Sequence, residues 1–299
     1  MRFSIWPNAQ QPFADVVEVA QHAERTGWDG VYFADHFMAN AGGGLPPSTP
    51  TLECGSTIAA LCALIPRVRI GSLVYGNTYR HPAVLANMAA TADRICDGRF
   101  TLGVGAGWQV NEHEQYGIPL PPVRERLDRF EEALQVLRGL LRQPTTTLHG
   151  SYYQLTDALC EPAPVQQPLP ILIGGSGERR MLGIVAAYAD IWNTWGRPDV
   201  IAHKSAVLDD FCARVGRDPS SIQRSAQAVV LINRDAPAPA EQTFPPMIGG
   251  TPSALAETVA AYREAGVDEF IVPDRSLGSG PERLKNMDLL NEQVFASLR

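Results

Sequence analysis

Leu169-Pro170-Ile171-Leu172-Ile173-Gly174-Gly175-Ser176-Gly177-Glu178-Arg179-Arg180-Met181-Leu182 is the stretch on which the reading of this chain turns. Its apolar run is too short for a helix and is bounded by Pro170 and Gly174, so it reads as a strand buried on both faces. From Met181 the apolar spacing becomes helical, through Ile184, Val185 and Tyr188. A strand, a glycine turn and a helix start therefore follow one another. Such a turn points backbone N–H groups at one place, next to the positive end of a helix dipole, where a phosphate can sit. An ordinary βα turn needs glycine for its backbone angles alone, and the turn by itself leaves both readings open.

The same alternation extends in both directions. Toward the N-terminus, strands are expected at Arg2–Trp6, Val31–Ala34, Val68–Val74 and Phe100–Val104. Between them lie helical patterns such as Val16, Val17, Ala20 and Ala23, or Leu127, Phe130, Leu134, Leu137 and Leu141. A hairpin-like excursion is expected at Thr145–Leu148 and Ser151–Leu155, before the fifth strand. Toward the C-terminus, strands are expected at Asp190–Thr194, Ala228–Ile232 and Phe270–Val272, with a last helix near Leu284–Ser297. Eight strands alternating with eight helices predict an α/β fold, a (β/α)8 TIM barrel, as a single domain over residues 1–299. An open doubly wound sheet fits less well, because Gly103-Val104-Gly105-Ala106-Gly107-Trp108 has tryptophan where the dinucleotide fingerprint needs its third glycine.

The formal charge of −7 and a pI near 5.4 argue against nucleic acid or an anionic membrane as the main partner. The start of the chain shows no apolar signal segment, and the longest apolar runs, such as Ile58–Ile65, are too short to span a bilayer, so a cytoplasmic protein is expected. Cys54, Cys62, Cys96, Cys160 and Cys212 form no CxxC pair and read as buried or incidental thiols.

In a barrel of this kind the site forms just after the strands. That rule selects Asn8, Asp35, His36, Gly76, Asn77, Trp108, Asn111, Gly174 to Gly177, Thr194, Trp195, Asn233, Arg234, Asp274 and Arg275. The set is rich in glycine, amides and aromatics and poor in carboxylates, which suits a large planar ligand better than a metal. His36 is the natural proton carrier among them. Its neighbour Asp35 cannot be assumed to pair with it, since adjacent residues at a strand end point in different directions. Glu112-His113-Glu114 has metal-type residues but no second cluster and reads as a solvated loop or helix start. The Pro-rich stretch Asp235–Gly250 reads either as a loop over the barrel mouth or as a disordered surface loop.

Taken together, Gly27-Trp28-Asp29-Gly30-Val31, Asp35-His36-Phe37, Tyr79-Arg80-His81-Pro82, Asp97 through Trp108, Ile173-Gly174-Gly175 and Ala265-Gly266-Val267-Asp268 resemble the luciferase-like monooxygenase superfamily. The Asp35-His36-Phe37 form resembles its F420 (deazaflavin)-dependent oxidoreductase branch. The resemblance implies an enzyme that moves a hydride between a small organic substrate and F420. It puts the cofactor ring near Asp35, His36, Ser72, Leu73, Asn111 and Thr194, its phosphate at Gly174, Gly175, Ser176 and Gly177, and makes His36 the catalytic residue. It also implies a homodimer and a non-proline cis peptide at Ser72-Leu73. In similar sugar-phosphate dehydrogenases a glutamate acts beside the ring; here the matching place is Trp108, which puts that substrate class in doubt. The alternatives are an FMN-dependent monooxygenase and a non-catalytic flavin- or deazaflavin-binding protein.

Overall fold

The computed structural model describes residues 1–41, 43–232 and 244–299. The strands are β1 (Arg2–Trp6), β2 (Gly30–Phe33), β3 (Arg69–Ser72), β4 (Tyr75–Gly76), β5 (Phe100–Gly105), β6 (Thr146–His149), β7 (Gln154–Ala158), β8 (Ile171–Gly174), β9 (Ile191–Trp195), β10 (Gln223–Gln227), β11 (Val229–Ile232), β12 (Met247–Gly250) and β13 (Glu269–Pro273). The α-helices are α1 (Phe13–Thr26), α2 (Cys54–Leu64), α3 (Pro82–Ile95), α4 (Val110–Tyr116), α5 (Val123–Arg142), α6 (Met181–Tyr188), α7 (Pro198–Arg214), α8 (Pro252–Glu264) and α9 (Gly280–Leu289). This parallel strand–helix alternation is the expected (β/α)8 barrel.

The chain divides into two compact units. The first comprises Met1–Asn8, Ala14–Tyr32 and Gly174–Arg299. In it β1 pairs in parallel with β2 and β13, and β10 pairs with β13 and β9. Its strands read as near-continuous apolar runs because both faces are covered, with Phe3, Ile5, Val31, Phe270 and Ile271 all at 0 % exposure. The second unit comprises Ala9–Phe13 and Phe33–Ile173, with β5 paired to β3, β4 and β8. Phe130, Leu134, Leu137 and Leu141 of α5 are buried, as the helical spacing predicts. Gly103 is required where β5 passes the end of β3: an added Cβ would lie 1.9 Å from the Ser72 carbonyl oxygen. The antiparallel β6–β7 hairpin forms the expected excursion.

The structure corrects the sequence reading in several places. The seventh barrel strand is β10, Gln223–Gln227, and not the apolar run Ala228–Ile232. Most of that run forms β11, which pairs with β12 in a separate two-stranded parallel sheet. In the polar β10 the buried Ser225 hydroxyl accepts from Asn193 Nδ2 at 2.9 Å, whereas Gln227 Oε1 is buried with no partner among the described residues. Of the stretch read as one loop after that strand, residues 235–243 lie outside the described residues, as do Asn233 and Arg234, and Met247–Gly250 is strand β12 rather than loop. The non-proline cis peptide is at Leu73-Val74, one bond later than expected. Leu73 N–H still donates to the Phe33 carbonyl at 2.8 Å, so regular bonding continues past Ser72 before the chain turns. The final α-helix starts at Gly280, earlier than its apolar residues suggest.

Candidate active site

The site is built from the chain just after β2, the turn after β4 and helix α4, all within the second unit. His36 directs Nδ1 to Glu112 Oε1 at 2.8 Å. The same oxygen accepts from the Tyr79 hydroxyl, and Oε2 accepts from the Phe37 N–H at 2.8 Å. Glu112 is 0 % exposed at its side chain, whereas His36 retains 24 %. Burial alone would raise the Glu112 carboxyl, but the His36 bond and charge, the Tyr79 hydroxyl and the Phe37 N–H outweigh it and hold the carboxyl below its ordinary value. Burial and the Glu112 carboxylate push the Tyr79 phenol far upward, so that hydroxyl keeps its proton and donates. An ionised Glu112 accepts, which assigns the His36 proton to Nδ1. Nε2 is then a lone-pair acceptor with no partner among the described residues. The exposed Trp108 indole stands edge-on to His36, with ring centroids 5.5 Å apart.

Asp35 takes no part in that pair. Its buried carboxylate accepts from Arg80 Nη1 and Nη2 at 2.6 and 2.9 Å and from the Gly76 N–H at 2.9 Å. Arg80 Nη2 also reaches Glu53 at 2.6 Å, while Glu53 caps α2 by accepting from the N–H groups of Gly55 and Ser56. Asp35 and Arg80 thus tie the end of β2 to the turn before α3, and that tie holds the neighbouring His36 in place.

The other expected residues divide between the units. In the second unit the Ser72 hydroxyl is spent on the Gly103 backbone, donating to its carbonyl and accepting from its N–H, both at 2.8 Å. The Asn111 amide braces the chain after His36, donating to the Ala39 carbonyl at 3.0 Å and accepting from the Ala41 N–H at 3.4 Å. Leu73, next to Ser72 in the chain, is buried. In the first unit Gly174 ends β8 and the turn runs to Gly177, with helix α6 starting only at Met181. The Gly175 N–H is spent on the Asn193 carbonyl at 3.0 Å, and its own carbonyl accepts from Trp192 Nε1 at 2.8 Å. The N–H groups of Ser176 and Gly177 have no partner among the described residues. Lys204 Nζ donates to the Ser176 carbonyl at 2.9 Å and to Glu178 at 2.8 Å. Thr194 on β9 is buried, its hydroxyl donating to the Trp195 carbonyl at 3.3 Å.

Glu112, Tyr79 and Arg80 carry this arrangement, and sequence reasoning gave none of them a role in it. Glu112-His113-Glu114 is the helix start and not the solvated loop of the two readings: it lies in the first turns of α4, which buries both Glu112 and His113. His113 is a structural latch, bonded to the Gln109 carbonyl at 2.6 Å and to Thr78 Oγ1 at 2.8 Å. Among the described residues, no group of three or more His, Cys, Asp or Glu side chains could hold a metal ion.

The depressed Glu112 carboxyl has a consequence for stability. Its ordinary value is 4.5 and its folded value is lower, so its contribution is present above pH 4.5 and is lost as pH falls through the folded value. Urea midpoints measured through the acid range should fall there for the wild type, and the fall should be shallower for Glu112→Gln.

The luciferase-like monooxygenase family model matches residues 1–262. The chain belongs to this family, and it is an enzyme with the family's barrel fold. It is 35 % identical over 178 residues to an F420-dependent glucose-6-phosphate dehydrogenase of Amycolatopsis mediterranei, covering 58 % of this chain and 50 % of that protein. It is 33 % identical over 227 residues to the protein of the same name from Microbacterium testaceum, covering 74 % of this chain and 65 % of the other. The chain therefore spans between half and two thirds of the length of these relatives. The solved F420-dependent tetrahydromethanopterin reductase of Methanopyrus kandleri superposes with a TM-score of 0.84 at 16 % identity, covering 100 % of this chain and 99 % of that one, a likeness of fold. Among the described residues no helix is long and apolar enough to cross a membrane.

Proposed function

We propose that this protein is an F420-dependent oxidoreductase that transfers a hydride between a carbon of a small organic substrate and the deazaflavin. The observation that carries the reading is the His36–Glu112 pair: a proton carrier at a strand end, fixed from behind by a buried carboxylate, with Nε2 open. When bound, the deazaflavin supplies the carbon that accepts or gives the hydride. The chain's own residues handle the proton. As a hydride leaves a carbinol carbon, the hydroxyl proton passes to His36 Nε2; in the reverse direction Nε2 returns it to the carbonyl oxygen. Glu112 keeps the other ring nitrogen protonated, orients the ring and stabilises the imidazolium that forms. Trp108 offers apolar surface beside His36, in keeping with a substrate whose reacting carbon has apolar neighbours rather than a charged group next to it.

The glycine turn fits a phosphate through the N–H groups of Ser176 and Gly177, with the Lys204 ammonium against the same loop. In the second unit Asp35, Ser72 and Asn111 stay in this reading through their backbone, since their side chains are engaged elsewhere, with Leu73 buried next to Ser72 in the chain; in the first unit Thr194 stays on the same ground, its hydroxyl bonded to the Trp195 carbonyl. The bond made by the Gly175 N–H gives that residue a structural part instead. A Cβ there would meet Met181 Cγ at 2.7 Å, so a substitution at Gly175 would disturb packing as well as binding. The exposed Ser176 is the better probe. Ser176→Asp should weaken F420 affinity at least about tenfold by setting a carboxylate against the phosphate, with an unchanged unfolding midpoint. Equal affinity by fluorescence titration would remove the turn from the cofactor site.

The second reading, reduced FMN activating oxygen, is favoured by the family model's own description. A panel of alcohols and carbonyl compounds, assayed by the F420 absorbance band, separates the readings. Substrate-dependent bleaching or recovery without oxygen supports hydride transfer, and turnover only with reduced FMN and oxygen overturns it. Binding with no turnover at all would leave a carrier protein. The homodimer belongs to the same proposal, as an implication of the resemblance.

A further inference from the structure

A cleft of about 270 Å³ opens in the second unit between the turn after β4, the segment before α5 and the β6–β7 hairpin. Its walls carry Asn77, His81, Arg126, Arg129 and Tyr153, with Pro119 and Pro121 as apolar lining. Among the described residues no carboxylate lines it. Arg80 also borders it, but both its terminal nitrogens are spent on Asp35 and Glu53.

The remaining polar groups are donors. Arg126 Nη1 donates to the neutral Gly107 carbonyl at 2.6 Å, and Nε is buried with no partner among the described residues. No carboxylate among those residues neutralises its charge. Tyr153 Oη accepts from Asn77 Nδ2 at 3.3 Å, which leaves the phenolic proton free to donate. His81 Nδ1 accepts from the Ala83 N–H at 3.2 Å, so the neutral ring carries its proton on Nε2. Arg129 is shared with Glu125, at 2.9 Å from Nε, and adds a second guanidinium. Helix α5 begins at Val123 after Pro122, which makes no side-chain cap, and Glu125 lies in its first turn. A half-buried guanidinium bonded to a neutral carbonyl, with two unspent donors beside it, makes a complement to an oxyanion.

We propose that this cleft binds the phosphate or carboxylate group of a small-molecule ligand, with Arg126 as the principal contact and Tyr153 and His81 as supporting donors. The proposal does not rest on the identity of the cofactor. Its volume suits an anionic group with a few attached atoms and not a whole dinucleotide.

Inorganic phosphate is the probe, titrated calorimetrically into the full-length protein without cofactor. Saturable binding is expected, weakened about tenfold or more in Arg126→Met and several-fold in Tyr153→Phe, and retained within a few-fold in Arg126→Lys. Arg124→Met, on the same helix but outside the cleft, should leave it unchanged, whereas Ser176→Asp should remove only phosphate bound separately at the glycine turn. Tyr153→Phe removes one oxygen and keeps the ring, so it answers the question even where Arg126→Met fails to fold. No saturable phosphate binding by the wild type overturns the proposal, as does binding lost in Ser176→Asp and kept in Arg126→Met and Tyr153→Phe. Repeating the titration with F420-saturated protein identifies the source. Phosphate excluded by F420 assigns the anion to the cofactor, and phosphate still bound assigns it to the substrate; either result requires the cleft.

Discussion

Replacing His36 with leucine lowers kcat by roughly 10²–10⁴-fold in the proposed reaction, while F420 affinity stays near wild type and the unfolding midpoint falls only as far as Glu112, still held by Tyr79 and Phe37, loses from its missing partner. The reasoning is local. Nε2 is the atom left open by the Glu112 bond at Nδ1, and leucine fills a similar space without an acceptor. A residue that only supported the loop would show its loss as reduced stability or weaker cofactor binding with an unchanged single-turnover rate. The measurement is the single-turnover rate of cofactor-saturated His36→Leu. A normal rate removes His36 from the chemistry.

Arg80→Met should destabilise the protein by about 3–5 kcal/mol, because it strands the Asp35 carboxylate, 0 % exposed, with the Gly76 N–H as its remaining partner. Arg80→Lys should recover only part of this, since one ammonium cannot reproduce the two-pronged contact with Asp35 and the reach to Glu53. Asp35→Asn combined with Arg80→Met should be less damaging than Arg80→Met alone, because no charge is then buried without a counter-charge. Urea unfolding of the three variants checks the order. A loss below about 1 kcal/mol for Arg80→Met would mean the pair behaves like an exposed one.

What the sequence made legible is what local chemistry determines. The strand, glycine turn and helix start around Gly174 are specified within fourteen consecutive residues, and β8 and α6 lie where the spacing put them. His36 was legible because a strand-end position and a residue type sufficed. Glu112 was not: it lies 76 residues away in the chain, and a glutamate at a helix start ordinarily faces water. Nothing short of the fold shows that it is buried against three donors. The same limit hid β10, whose Gln223-Arg224-Ser225-Ala226-Gln227 looks like a surface segment until Asn193 is placed opposite Ser225. Ser72 and Asn111 show the converse. Their places at or after strand ends were readable, but the backbone groups that occupy their side chains were not.

The most direct test of the central claim is a parallel fluorescence titration of the purified protein with F420 and with FMN. The account predicts saturable F420 binding, at least tenfold tighter than FMN, and weakened by Ser176→Asp. Tight FMN binding with weak or absent F420 binding would contradict it and return the chain to the oxygen-activating side of its family.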